Sequence, residues 1–457
     1  MKTTADSLLD RFLRYVRICT TSDKHVEATP SSPGQWELAR LLAEELGDLG
    51  ISDVELTEHC YVIARLPASS GYESTPAIGF MAHLDTAQDA PGRDVKPVVV
   101  ERYDGEKIVL GGGAGGGAGG GAGGGAGGGA SGGAGFGSEP APSGARSRPP
   151  PEPLILDPAA DPGLAAQKGK TIVHTGGTTL LGADDKAGIA EIITAAGRLM
   201  ARRELKHGPV VFIFSPDEET GKGLPFFPQE KLKDLRACYT MDGGALGEVE
   251  SECFNAYMAR VYFSGKVIHL GQARGELANA CLMAAAFATM LPRSESPEAT
   301  DGYYGYYCPT EISGGLEAAE LELYIRDFDL NRAKERVAAL ELFARAVEAQ
   351  FPGGRVRVEA KAQYYNMKEQ ISRRPEVLAK LEEAARRLGI SLFRKPIRGG
   401  TDGSRLTELG VPTPNIFAGG RNFHSVKEWV SAPDMEAACD LIVELVTTWA
   451  QSEKSNC

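Results

Sequence analysis

The chain is short of several things that would direct a functional reading elsewhere. Its eight cysteines, Cys19, Cys60, Cys238, Cys253, Cys281, Cys308, Cys439 and Cys457, form no C-x-x-C pair. A disulfide framework and a thiolate zinc knuckle are therefore not expected, and the thiols read as reduced core filler. No apolar run reaches membrane-spanning length. The amino-terminal MKTTADSLLDRFLRYV alternates apolar and charged residues with helical period, where a signal peptide would carry an apolar block. Basic charge is also scarce, with 49 Lys and Arg against 61 Asp and Glu and a formal net charge of −12. That balance argues against nucleic acid, which needs a basic footprint to neutralise phosphates. The expectation is a soluble, cytoplasmic protein with no membrane and no nucleic-acid partner, acting on a small molecule or peptide.

At 457 residues the chain exceeds one ordinary core, and 42% hydrophobic content suffices for two. From Leu110 to about Pro153 the composition collapses into GGGA repeats followed by SEPAPSGARSRPPPEP. The period of four is not that of collagen, and so little apolar surface cannot offset the entropy of ordering. A flexible insert is expected over 110–153, tolerable because loop closure grows only with the logarithm of length.

On either side of it, strand and helix patterns alternate. Amphipathic helices are predicted at Ala5–Ile18, Gln35–Leu49 and Lys186–Arg203, with strands within Val54–Leu66, Ala77–His83 and Pro209–Ser215. This is the pattern of a layered α/β domain. Between about 254 and 365 the order becomes β-α-β-β-α-β, that of a ferredoxin-like unit, before the α/β pattern resumes. The predicted organisation is a layered α/β catalytic domain built from 1–253 and 366–457, with a ferredoxin-like lid domain, 254–365, inserted into it.

Apolar runs end repeatedly in polar clusters: IGFMAHLDT, LLGADDKAG, FIFSPDEETGKG, CYTMDGG and GGRNFHSVKEW. In α/β sheets, groups just past the carboxyl ends of strands converge. His83 and Asp85 stand two apart on a strand and so share a face, which lets the carboxylate steady the imidazole. Each cluster also has a plain alternative. His83 with Asp85 would serve as a satisfied buried pair, Asp184 and Asp185 as a helix N-cap and an acid at the positive helix end, and the glycines after Asp242 as a turn. Three successive acids, Asp217, Glu218 and Glu219, would serve as a solvated loop.

Taken together, HLDT, TTLLGADDKAG, PDEETGKG, ESPEATDGYYGYY, YIRDFD, YYNMKE, KPIRGGTDG, PNIFAGG and FHSVKEW resemble, in order and wording, the peptidase T family of tripeptide aminopeptidases. That family lies within the aminoacylase and carboxypeptidase superfamily of co-catalytic zinc hydrolases. The resemblance implies two Zn²⁺ per subunit, one held by His83 and Asp242, the other by Glu219 and His424, with Asp184 bridging them. It implies Glu218 as the general base and Asp85 as the support of His83, leaving Asp217 and Lys186 structural. It also implies substrate contacts from His269 and Asn279 in the lid, from Arg326, and from Arg398 toward a peptide carboxylate. At the lid histidine the family has His-Pro-Gly, and here Leu270 stands in place of Pro. The expected partner is a short peptide, with a homodimer through the lid domain as a further expectation. The alternatives are a related dizinc dipeptidase, an N-acyl amino-acid deacylase, or a non-catalytic binding protein on the same fold.

Overall fold

A computed structural model describes residues 7–111 and 153–451. The Gly/Ala/Pro segment expected at 110–153 thus lies, apart from its ends, outside the described residues. Those ends are held side by side, because Ile108–Leu110 pairs antiparallel with Leu154–Leu156 and Leu110 stands opposite Leu154.

The fold is mixed α/β. An eight-stranded sheet runs, edge to edge, through Asp53–Leu56, Val62–Leu66, Val210–Ser215, Ala77–His83, Leu235–Gly243, Asn415–Phe417, Glu248–Glu250 and Phe393–Arg394. Its centre is parallel: Ala77–His83 lies between Val210–Ser215 and Leu235–Gly243, and both neighbours run with it. Such strands are covered on both faces, which accounts for their unbroken apolar runs. Ile78, Phe80, Ala82, Phe212 and Phe214 point into one core layer with the long helices, whereas Ala77, Met81, Val211 and Ile213 point into a second layer on the opposite face. The period-two pleat thus divides one apolar run between two cores. The predicted strand over 54–66 is two strands, Asp53–Leu56 and Val62–Leu66, separated at Cys60, whose φ is 69°.

The helix Ala183–Ala201 packs on this sheet and against Ala432–Gln451, whose Trp449 also reaches the sheet at Tyr239. Gly188 permits the close approach, since a Cβ there would fall 2.1 Å from the carbonyl oxygen of Met241. Its absence draws the start of the helix, with Asp184, toward the strand that carries Asp242.

A second, wholly antiparallel sheet is ordered Tyr306–Gly314, Ala318–Asp327, Asn255–Ser264, Arg355–Tyr364. Helices Ala280–Met290 and Leu330–Gln350 contribute Phe287, Leu340 and Val347 to a core against Val261, Phe263, Leu321 and Ile325. Among the described residues no helix is long and apolar enough to cross a membrane.

Candidate metal centre

Three central strands deliver acidic or imidazole groups at or just past their carboxyl ends, which their parallel course sets on one side of the sheet. His83 ends its strand, Asp242 precedes the last residue of Leu235–Gly243, and the chain leaves Ser215 into a 3₁₀ turn at Glu218–Thr220. Asp184 enters from the first turn of its helix, where Gly182 occupies the N-cap in the left-handed region and the Asp184–Asp185 peptide is cis. Both aspartates have non-helical backbone, and Asp185 caps the regular helix that follows by accepting the Gly188 N–H at 3.2 Å, so the plain alternative holds for Asp185 and leaves Asp184 to the centre. His424 comes from the loop after Gly420–Arg421.

The side chains meet closely. His83 Nε2 lies 2.9 Å from Asp184 Oδ1 and 3.7 Å from Asp242 Oδ1. His424 Nε2 lies 3.2 Å from Asp184 Oδ2 and 3.0 Å from Glu219 Oε2. Asp184 thus presents one oxygen to each imidazole. Each imidazole also turns its Nδ1 away from the other ligands, His83 to the main-chain carbonyl of Asp85 at 3.1 Å and its Oδ1 at 3.3 Å, and His424 to Asp89 Oδ2 at 3.3 Å.

The buried Asp85 carboxylate also accepts the backbone N–H of Glu218 at 3.0 Å and of Glu219 at 3.1 Å, locking the acidic turn to the His83 strand. Asp217, with φ of 54°, faces away from the centre and accepts from Ser31 N–H at 2.8 Å and from Gln35 Nε2 at 2.8 Å. Lys186 donates to the carbonyl of Ile18 at 2.7 Å. Two supports carry no signal in the sequence. Buried Glu428 accepts the N–H groups of Leu181, Gly182 and Asp184 at 2.7, 2.8 and 3.1 Å. Asp89 is the second, and both act on backbone or on a loop that no side-chain spacing links to them.

Burial works against ionisation of Asp184, and its hydrogen bonds to His424 and His83 more than reverse this, holding its carboxyl below the usual range. Burial pushes Asp242 up to about 6 and, together with the charge of Asp184, Glu219 up to about 7. Glu218 is driven well above the usual carboxylate range, by burial first and then by Asp242, Asp402 and Glu219, with His83 opposing. Hydrogen bonds to Asp184 and Glu219 carry His424 up to about 11. Asp242, Glu218 and Glu219, all raised by burial, are thus the carboxyls whose ionised form a nearby cation would favour.

The residues fit a divalent ion. Donor atoms of His83, Asp184 and Glu219 lie within 4.8 Å of one another, as do those of His83, Asp185 and Asp242. Asp185 has both oxygens engaged by the N–H groups of His83 and Gly188, so Asp184 is the freer ligand. Glu219 Oε1 is buried without a hydrogen-bond partner, and imidazole with carboxylate is a donor set suited to zinc. Asp184, Glu218, Glu219, Asp242 and His424 line a cleft of about 310 Å³.

The four remaining residues singled out in the sequence do not line that cleft. His269 is exposed, and its Nδ1 accepts from the Gly271 N–H at 3.2 Å. Asn279 caps Ala280–Met290 with its side-chain oxygen. Arg326 donates to the carbonyls of Tyr257 and Ile325 and stacks over Tyr324 and Tyr364. Arg398 donates to the carbonyls of Thr300, Gly302 and Tyr304.

Comparison with known proteins places this geometry. Residues 177–448 match peptidase family M20/M25/M40. Peptidase T of Geobacillus thermodenitrificans is 41% identical over 444 residues, covering 97% of this chain and 98% of that protein. The chain belongs to the peptidase T family. It is accordingly a peptidase. Peptidase T of Clostridium perfringens is 40% identical over 442 residues, covering 97% of this chain and 98% of that one. In fold, the chain is similar to the aminopeptidase PepT from Bacillus cereus, with a TM-score of 0.68 at 19% identity over 97% of this chain and 98% of that one. It is similar also to a tripeptidase from Staphylococcus aureus, with a TM-score of 0.68 at 20% identity over the same shares, 97% and 98%. The Bacillus subtilis YxeP protein, a dinuclear metal binding peptidase from the M20 family, has a TM-score of 0.58 at 16% identity over 96% of each chain.

Proposed function

We propose that this peptidase is a two-zinc aminopeptidase that releases the N-terminal residue from tripeptides. The observation that carries the reading is the Asp184 carboxylate, with one oxygen 2.9 Å from His83 and the other 3.2 Å from His424. A carboxylate placed in this way suits a bridge between two cations. His83 and Asp242 would hold one ion, Glu219 and His424 the other. When bound, such a pair activates water and polarises the scissile carbonyl.

The chain supplies the proton chemistry. Glu218 lines the cleft beside the ligand Glu219, and its backbone is anchored through Asp85. Its carboxylate takes the proton of the attacking water and returns it to the nitrogen of the leaving amine. The names of proteins similar in fold, an aminopeptidase, a tripeptidase and a dinuclear metal-binding peptidase, point the same way. In this reading residues 254–365 form a lid bearing His269 and Asn279. Because neither lines the cleft, they reach substrate only when that unit moves.

The test is a panel of di-, tri- and tetrapeptides and N-acyl amino acids, given to metal-stripped protein with and without Zn²⁺. Zn²⁺ should restore cleavage, tripeptides should turn over fastest, and the first product should be the free N-terminal amino acid. Preferential hydrolysis of N-acyl amino acids would replace this reading with that of a deacylase.

A further inference from the structure

One part of the cleft is not used by the chemistry above. Beyond Asp242 the sheet continues through Asn415–Phe417 to Glu248–Glu250, with Thr240 paired to Asn415 and Asn415 paired to Glu250. Paired residues share a face, and so do residues two apart on one strand. Asp242, Asn415, Glu250 and Glu248 therefore stand on the same side, and all four line the cleft. Two strand spacings, roughly 10 Å, separate the backbones of the Asp242 and Glu250 strands, with Asn415 between them.

The two glutamates differ in what they hold. Glu248 takes Lys395 Nζ at 2.8 Å and the Ala245 N–H at 3.4 Å. Glu250, only 7% exposed, accepts a single hydrogen bond, from Asn415 Nδ2 at 3.3 Å. Asn415 is itself oriented by Thr401 Oγ1, which donates to its Oδ1 at 3.2 Å. The result is a buried, oriented carboxyl with one oxygen open to the cleft. Burial first, and then the neighbouring Glu248, push it up to about 8. A carboxyl so placed gains its charge when a cation arrives.

An aminopeptidase substrate brings that cation to a fixed place. Standard bond lengths put the free α-nitrogen about 2.5 Å from the carbonyl carbon that is attacked. The receiving carboxylate must therefore stand beside the metal ligands. Among the carboxylates lining the cleft, Asp184, Glu219 and Asp242 are spoken for by metal, Glu218 by the proton and Glu248 by Lys395. We infer that Glu250, oriented by Asn415, receives the N-terminal ammonium group of the peptide and makes a free amino terminus a requirement of the enzyme. This rests on the aminopeptidase reading and adds to it the group that measures where the chain begins.

The experiment compares wild type and Glu250→Gln on three probes: a tripeptide with a neutral first side chain, its des-amino analogue, and a tripeptide beginning with lysine. In wild type the free-amine tripeptide should be strongly preferred over the des-amino analogue. In Glu250→Gln, kcat/KM for both free-amine tripeptides should fall about 30-fold or more, by similar factors, while the des-amino analogue is nearly unaffected. Glu250→Asp, which keeps the charge but withdraws it, should fall in between. This variant also serves if Glu250→Gln is not folded and metal-loaded. An unchanged amine preference in either variant overturns the inference and leaves the aminopeptidase reading intact. A loss confined to the lysine peptide overturns it also, by making Glu250 a side-chain pocket. A wild-type enzyme that cleaves none of these probes overturns both.

Discussion

The two imidazoles of the centre are held in opposite ways. His83 ends a strand whose seven residues are all buried, its side chain is 2% exposed, and its outward partner Asp85 is 0% exposed. His424 sits on a loop with φ of 58°, its side chain is 42% exposed, and its outward partner Asp89 is 67% exposed. One half of the site is thus made by the core of the sheet, and the other is closed over it by a loop in an unfavourable backbone region. Left-handed conformations at non-glycine residues persist where the surroundings enforce them, and they gather at functional sites. Asp184 joins the halves, and Glu428 fixes the loop from which it projects. The ion on the His424 side is therefore expected to exchange more readily than the ion on the His83 side.

Asp184→Asn should have the largest effect, because it weakens both halves at once. Peptidase activity should fall on the order of 10³-fold, and metal content after dialysis should drop well below two ions per chain. Retention of two ions would show that the halves are independent. Asp85→Asn comes next. An amide there cannot accept both the Glu218 and Glu219 N–H groups, so a buried donor loses its partner, at a cost of about 1–3 kcal/mol. Metal affinity or turnover should fall about 10- to 100-fold, as read by thermal melts and zinc titration. Asp89→Asn should be the mildest, within about 3-fold, because exposed ion pairs contribute little and are screened by salt. Equal effects from Asp85→Asn and Asp89→Asn would erase the proposed asymmetry.

The same contrast governs what the sequence could reveal. On the core side, strand period alone sets His83 and Asp85 on one face, and apolar runs mark where the parallel strands end. The acidic run was not resolved by period: the resemblance alone set Glu218 and Glu219 apart from Asp217, and in the fold Asp217 turns to Ser31 and Gln35 while the other two line the cleft. On the loop side little was legible. Glu428 serves three backbone N–H groups some 240 residues earlier in the chain, and backbone donors leave no trace in a residue pattern. Asp89 lies in a loop without periodicity, so nothing tied it to His424. Arg398 looked suited to a carboxylate because guanidinium groups are, yet here it closes on carbonyls at 300, 302 and 304, which sequence does not display. The break before Val62 did leave a trace, the polar run Thr57-Glu58-His59, but a left-handed cysteine has no propensity signal of its own.

The central claim, that these ligands assemble a hydrolytic centre in which Glu218 moves the proton, is tested most directly by the turnover number of metal-replete Glu218→Gln. The amide keeps the shape of the side chain and its anchor on Asp85 but cannot accept the proton. A fall in kcat on the order of 10²-fold or more with two ions retained is the expected result; near-normal turnover in that fully loaded variant would contradict the account.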